Sequence, residues 1–114
     1  MTSLMKPSEA LRKARELLTP EGAWTKEGWA RNKQHWFVAP ESPNAVCWCA
    51  RGALRKVSGG YTREELDAEI VLQDTLGLTH TGSIADWNDA EERTQDDVLE
   101  AFTKAIALAE EAGQ

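Results

Sequence analysis

The sequence has few β-branched aliphatic residues, few cysteines and no long apolar run. Eight of its 114 residues are Val or Ile, whereas sixteen are Ala, a composition that favours close-packed helices over a large sheet. Its apolar runs fall far short of the roughly 20 residues of a membrane span, and its first residues lack the basic-then-apolar pattern of a signal segment. We therefore expect one soluble, cytoplasmic domain over residues 1–114. It should be mainly α, a compact bundle of about four helices with a small β-hairpin, with an α+β arrangement as the alternative.

The charges are distributed unevenly along the chain. The net charge of −6 argues against a general nucleic-acid binder held by phosphate contacts. Residues 1–60 carry ten basic and five acidic side chains, whereas residues 61–114 carry three basic and fourteen acidic ones. An acidic half of this kind is expected to attract a basic partner surface and to speed association. The simpler interpretation is that two amphipathic helices carry solvated acidic faces.

Apolar spacing and capping residues predict the helices. The predicted spans are Pro7–Leu18, a helix of about 43–57 with Ser42 as N-cap and Pro43 at its first position, Thr62–Leu76, a short turn at Ile84–Trp87, and Thr94 to about Ala112. The third helix is expected to bury Leu66, Ile70, Gln73 and Leu76, and the last to bury Val98, Phe102, Ala105, Ile106 and Ala109. Between the first two helices, Trp24–Val38 is predicted to form the hairpin, with its turn at Asn32-Lys33.

The predicted central helix contains a Cys-Trp-Cys segment. On a helical wheel of about 100° per residue, Cys47 and Cys49 lie about 160° apart, so they cannot share a metal ion or form a disulfide there. We accordingly expect no metal and no cofactor. Trp48 lies beside Arg51 and Arg55, opposite the apolar stripe. Either the hairpin covers it, which we favour, or the three residues form an exposed patch of types enriched at binding hot spots.

Two further hypotheses concern chemistry and small ligands. Cys47, His80 as its base and Asn88 or Asp89 as the orienting group follow the chain order Cys, His, Asn of thiol hydrolases. Cys47 would lie within about the first turn of the predicted helix. This order alone is weak evidence for a hydrolase or transferase, because no glycine-rich oxyanion motif accompanies it. Alternatively, four tryptophans could line a ligand pocket around the central helix: Trp24, Trp36, Trp48 and Trp87.

Several segments resemble one small family of uncharacterised proteins found in bacteria and their phages. They are AVCWCARGAL at 45–54, IADWND at 84–89, RTQDDVL at 93–99 and, near the start, LTPEGAW at 18–24. The resemblance covers most of the chain and is weakest from Trp29 to Phe37. It implies a short accessory protein, plausibly from a phage or another mobile element, and transfers no activity.

The leading hypothesis is a non-enzymatic accessory or inhibitory protein that docks on a host protein complex. It would act without contacting nucleic acid directly, as an anti-CRISPR or another anti-defence factor does. The candidate contacts are acidic residues of the second half, Glu64, Glu65, Asp67, Asp96 and Asp97, together with Trp48, Arg51, Arg55 and Trp87.

Overall fold

A computed structural model describes residues 5–114 and contains five helices and one small sheet. The elements, in chain order, are α1 (Pro7–Leu18), β1 (Ala30–Arg31), β2 (Cys47–Trp48), α2 (Ala50–Val57), α3 (Arg63–Thr75), α4 (Ser83–Asp89) and α5 (Gln95–Glu111). The fold is thus mainly α with a small antiparallel sheet, as predicted. Within residues 5–114, no helix has both the length and the apolarity needed to cross a bilayer.

Helices α1 and α5 follow their predicted bounds and pack against each other. At the start of α5, the Thr94 hydroxyl accepts from the Asp97 amide while the Asp97 carboxylate accepts from the Thr94 amide, which completes a capping box. The predicted stripe of α5 is buried in full. Phe102 from this stripe and Leu11 from α1 are among the largest fully buried side chains.

The sheet pairs a predicted strand with a segment predicted to be helical. Ala30 lies opposite Trp48 and Arg31 opposite Cys47. The predicted hairpin partner of β1 contributes only a single bridge, between Arg31 and Phe37. The chain does reverse near the predicted turn, where the Asn32 amide donates to the Trp36 carbonyl. The Val38 amide also donates to the Ala30 carbonyl, so the predicted hairpin is present, and β1 pairs in addition with β2.

Helix α2 begins at Ala50, so the predicted start at residues 42–43 is wrong. Cys49 is the N-cap, and its sulfur accepts a hydrogen bond from the Gly52 amide. Because Cys47 and Trp48 are extended, the helical wheel used for them does not apply. A short apolar run is compatible with either a strand or a helix, and periodicity alone cannot separate the two.

Helix α3 buries a different face from the one predicted. Its buried residues are Glu65, Ala68, Glu69 and Leu72. Leu66 and Ile70, predicted to be core residues, are 39% and 40% exposed. The helix therefore turns two carboxylates inward and two aliphatic side chains outward.

Candidate functional site

Four charged side chains meet between α2 and α3 and form an Arg–Glu layer of Arg51, Arg55, Glu65 and Glu69. The Arg51 Nε donates to the Glu69 carboxylate. The Arg55 Nε lies 3.0 Å and 3.1 Å from the two oxygens of Glu65. Both glutamates are almost completely buried. Since a buried carboxylate needs a partner, the arginines of α2 account for the inward face of α3.

The ring of Trp29 covers this layer. The guanidinium carbons of Arg51 and Arg55 lie 4.7 Å and 4.0 Å from its centroid, within the range of cation–π contacts. The backbone of Trp29 lies so close to α2 that a Cβ on Gly52 would be 2.0 Å from the Trp29 carbonyl oxygen. Glycine at position 52 is therefore required for the loop to rest on the helix.

The Glu69 carboxyl of the layer does not ionise readily. Burial and the neighbouring Glu65 carboxyl raise the pKa of Glu69 from 4.5 to about 7, against the lowering effect of Arg51. A like charge nearby and burial both disfavour the charged form of Glu69. The layer is accordingly an internally satisfied ionic joint between α2 and α3.

A cleft of about 230 Å³ opens beside the layer. Its lining residues are Glu27, Gly28, Trp29, Cys49, Arg51, Ala85 and Asp89. Asp89 is fixed at the rim, where one carboxylate oxygen accepts from the Glu27 amide at 2.9 Å and from the Asn88 side-chain amide at 3.0 Å. Burial raises the pKa of the Cys49 thiol to about 11, so the cleft contains a neutral thiol and no thiolate nucleophile.

Asn88 is a buried structural junction. Its carbonyl oxygen accepts from the Trp24 indole at 2.7 Å and from the amide of Ala50, the first residue of α2. Its amide group donates to the Thr25 carbonyl and to Asp89. Three of these bonds join α4 to α2 and to the Trp24 segment, and the bond to Asp89 lies within α4.

The other two members of the thiol hypothesis have separate partners. Cys47 is buried in β2 with its sulfur 4.0 Å from the Arg31 carbonyl, and it is outside the first turn of a helix. His80 is exposed and contacts the Ser83 hydroxyl one turn away. Within residues 5–114, no three His, Cys, Asp or Glu side chains come together in a way that could hold a metal ion.

The predicted acidic contacts are dispersed. Glu65 is part of the Arg–Glu layer and is therefore not on an exposed face. Asp67 lines a surface groove with Gln114, beyond the end of α5, whereas Asp97 lines another with Leu76, beyond the end of α3. Glu64 precedes Asp67 by three residues and Asp96 adjoins Asp97, so the acidic residues lie at opposite ends of the α3–α5 pair.

The tryptophans also have separate environments. Trp48 is covered, as we favoured, and its indole donates to the Pro40 carbonyl at 2.9 Å. Trp87 is half-buried under the Arg93 guanidinium, which is 4.0 Å from the ring centroid. Trp24 bonds Asn88, and Trp36 is exposed. The aromatic wall of the cleft is Trp29, which the pocket hypothesis did not include.

Sequence reasoning also missed an aromatic loop, residues 32–38, that projects from β1. Trp36 is 73% exposed and Phe37 57% exposed. The Asn32 side chain accepts from the amides of Gln34 and Trp36, both at 3.0 Å, and the Arg31 guanidinium stacks on the Phe37 ring at 4.1 Å. The tendency of Asn to bond its own following backbone is the signal that could have identified a rigid loop here.

Comparison of the chain with curated proteins and with solved structures finds no match. A family match nevertheless extends over residues 2–108. This span contains the aromatic loop, the cleft and the Arg–Glu layer. The predicted resemblance to a family of uncharacterised proteins is thereby confirmed, and the chain belongs to the Family of unknown function (DUF6197).

Proposed function

We propose that this protein is a non-enzymatic binding protein that docks on a partner protein through its aromatic loop. The observation that carries the proposal is the exposure of Trp36 on a loop whose backbone is held by hydrogen bonds. Tryptophan is among the residues most enriched at binding hot spots. An exposed Trp lowers solubility and adds nothing to the core, and a role in binding a partner accounts for its exposure.

The rigidity of the loop supports this proposal. Three hydrogen bonds fix the loop around its turn. The Asn32 side chain accepts from the Trp36 amide, the Asn32 amide donates to the Trp36 carbonyl, and the Arg31 guanidinium donates to the His35 carbonyl. A loop fixed before binding loses less conformational entropy when it docks. Val46 is exposed on the neighbouring segment, and its amide donates to the Arg31 carbonyl.

The acidic residues have a secondary role in this proposal. Glu64 and Asp67 at one end of the α3–α5 pair, with Asp96 and Asp97 at the other, would attract a basic partner over a distance and raise the association rate. The partner we propose is a host protein complex, in keeping with the expected accessory or anti-defence role.

Capture of partners from a bacterial lysate by immobilised Trp36→Ala tests the proposal. Loss of a hot-spot Trp costs at least about 2 kcal/mol, so captured partner should fall by about tenfold or more. Leu108→Ala is the matched control, because Leu108 is also an exposed apolar residue but lies on α5. Equal capture by wild type and Trp36→Ala would refute the aromatic loop as the docking surface.

Charge reversal provides a second arm of the same experiment. Glu64→Lys, Asp67→Lys and Asp96→Lys together should slow association at low salt and leave dissociation nearly unchanged, because rim charges act mainly on the association rate. Asp97 is left unchanged because it caps α5. Glu65 is left unchanged in this variant, since its replacement would leave Arg55 unpaired inside the protein.

A further inference from the structure

The cleft adjoins the aromatic loop through Gly28. Gly28 lines the cleft, and a Cβ at this position would lie 2.3 Å from an atom of the Phe37 ring. The Phe37 ring therefore packs directly on the segment that forms one wall of the cleft. A partner that covers Trp36 and Phe37 would also reach the cleft mouth.

We propose that the cleft binds a lysine or arginine side chain of the partner that docks on the aromatic loop. The proposal rests on the proposed function, because it identifies the partner's chemistry at that surface. It assigns the cleft a cationic occupant, whereas the loop itself contributes apolar contact.

Charge complementarity favours a cation in the cleft. Glu27 and Asp89 both line it, and the hydrogen bonds from the Glu27 amide and from Asn88 fix the Asp89 carboxylate. Arg51 is the basic residue of the lining, and its guanidinium is bonded to Glu69 and stacked against Trp29. The charge of Arg51 is thus directed into the Arg–Glu layer, and the two carboxylates at the rim remain to bind a partner.

The size and the walls of the cleft fit a single long side chain. Its volume of about 230 Å³ is below the range of about 300–1,000 Å³ for sites of drug-sized ligands. The neutral Cys49 thiol, Ala85 and the Trp29 ring provide apolar surface. Lysine and arginine bury their methylene stems along such surface while the charged head meets polar groups.

NMR titration with side-chain analogues tests the inference without a known partner. We expect Nα-acetyl-lysine amide and Nα-acetyl-arginine amide, which keep their side-chain charge, to bind with affinities in the millimolar range. Binding should shift the Trp29 indole resonance and the backbone amide resonances of Glu27 and Asp89. N-acetyl-norleucine amide, which lacks the charge, should not. Equal shifts with norleucine, or no shift with either basic amide, would overturn the inference.

Variants locate the binding site. The double variant Glu27→Gln with Asp89→Asn removes both negative charges of the cleft. The affinity for the basic amides should therefore fall about tenfold, or about 1.4 kcal/mol. The Asn side chain at position 89 retains an oxygen that can accept the existing hydrogen bonds. Glu21→Gln, an exposed acid outside the cleft, should change nothing. If the double variant unfolds, Glu27→Gln alone should weaken binding measurably. An unchanged affinity in a folded variant would overturn the inference.

The two proposals fail separately. Trp36→Ala should lower capture of the partner about tenfold or more while leaving the response to basic amides intact, because Trp36 does not line the cleft. If the amides do not bind but Trp36→Ala still loses the partner, the cleft inference fails and the docking loop stands. If the amides bind and Trp36→Ala captures normally, the docking loop fails.

Discussion

Helices α3 and α5 begin with the same sequence signal and bury opposite kinds of side chain. Each starts after a threonine whose hydroxyl accepts from the amide three residues on. In α5 the third residue, Asp97, returns the bond and completes the box. In α3 the corresponding Glu65 turns inward to Arg55 instead. The buried face of a helix thus depends on what lies opposite it as well as on its own pattern.

The surfaces against which α3 and α5 pack explain why the two helices bury different kinds of side chain. Helix α5 packs on α1, whose buried residues are the apolar Ala10, Leu11, Ala14 and Leu18, with Ser8 the one polar residue among them. Helix α3 also meets α2, which presents Arg51 and Arg55. Those arginines are held by Trp29 and need carboxylate partners, so Leu66 and Ile70 are displaced to the surface. An apolar stripe predicts the core face where the neighbouring surface is apolar and fails where it is charged.

The largest expected effect comes from breaking the Arg–Glu layer. Arg55→Met leaves Glu65 buried without its partner and should lower the free energy of unfolding by about 3–5 kcal/mol, measured by urea denaturation. Arg55→Met combined with Glu65→Met should recover most of that loss, because apolar residues of similar size often replace a buried ion pair without cost. A loss below about 1 kcal/mol in the single variant would contradict a buried, mutually dependent pair.

Removing one isoleucine from each helix compares their faces directly. Ile106→Ala on α5 empties a buried site and should cost about 2–4 kcal/mol. Ile70→Ala on α3 removes a side chain that is 40% exposed and should cost less than about 1 kcal/mol. Thermal unfolding of both variants measures the difference. Equal costs would mean that Ile70 is a core residue, as the sequence pattern alone predicts.

Local sequence signals predicted parts of the fold, whereas contacts between residues distant in sequence could not be predicted. Pro7, Thr94 and Asp97 act within one turn of themselves, so local signals located α1 and α5 correctly. The Arg–Glu layer and the cleft join residues distant in sequence, for example Glu27 with Asp89. No local period encodes such a contact. The helix prediction for the Cys-Trp-Cys segment was wrong for a related reason. Pairing with β1, which is distant in sequence, makes Cys47 and Trp48 a strand.

The effect of Glu69→Gln on stability depends on the pH. The folded state raises the pKa of Glu69 from 4.5 to about 7, so it binds a proton more tightly than the unfolded state does. Stability from this proton is fully present below pH 4.5 and is lost as the pH rises through about 7. The wild type should therefore lose stability relative to Glu69→Gln over this range.

Glutamine keeps an oxygen that can accept from Arg51 but cannot ionise, and it leaves Arg55 with Glu65. Urea denaturation of both proteins at several pH values between these limits measures the difference. Exposed carboxylates elsewhere titrate in both proteins and cancel in the comparison. Parallel stability curves would show that Glu69 binds its proton no more tightly in the folded state than in the unfolded state. Converging curves at acid pH would show that the inward face of α3 depends on holding that proton.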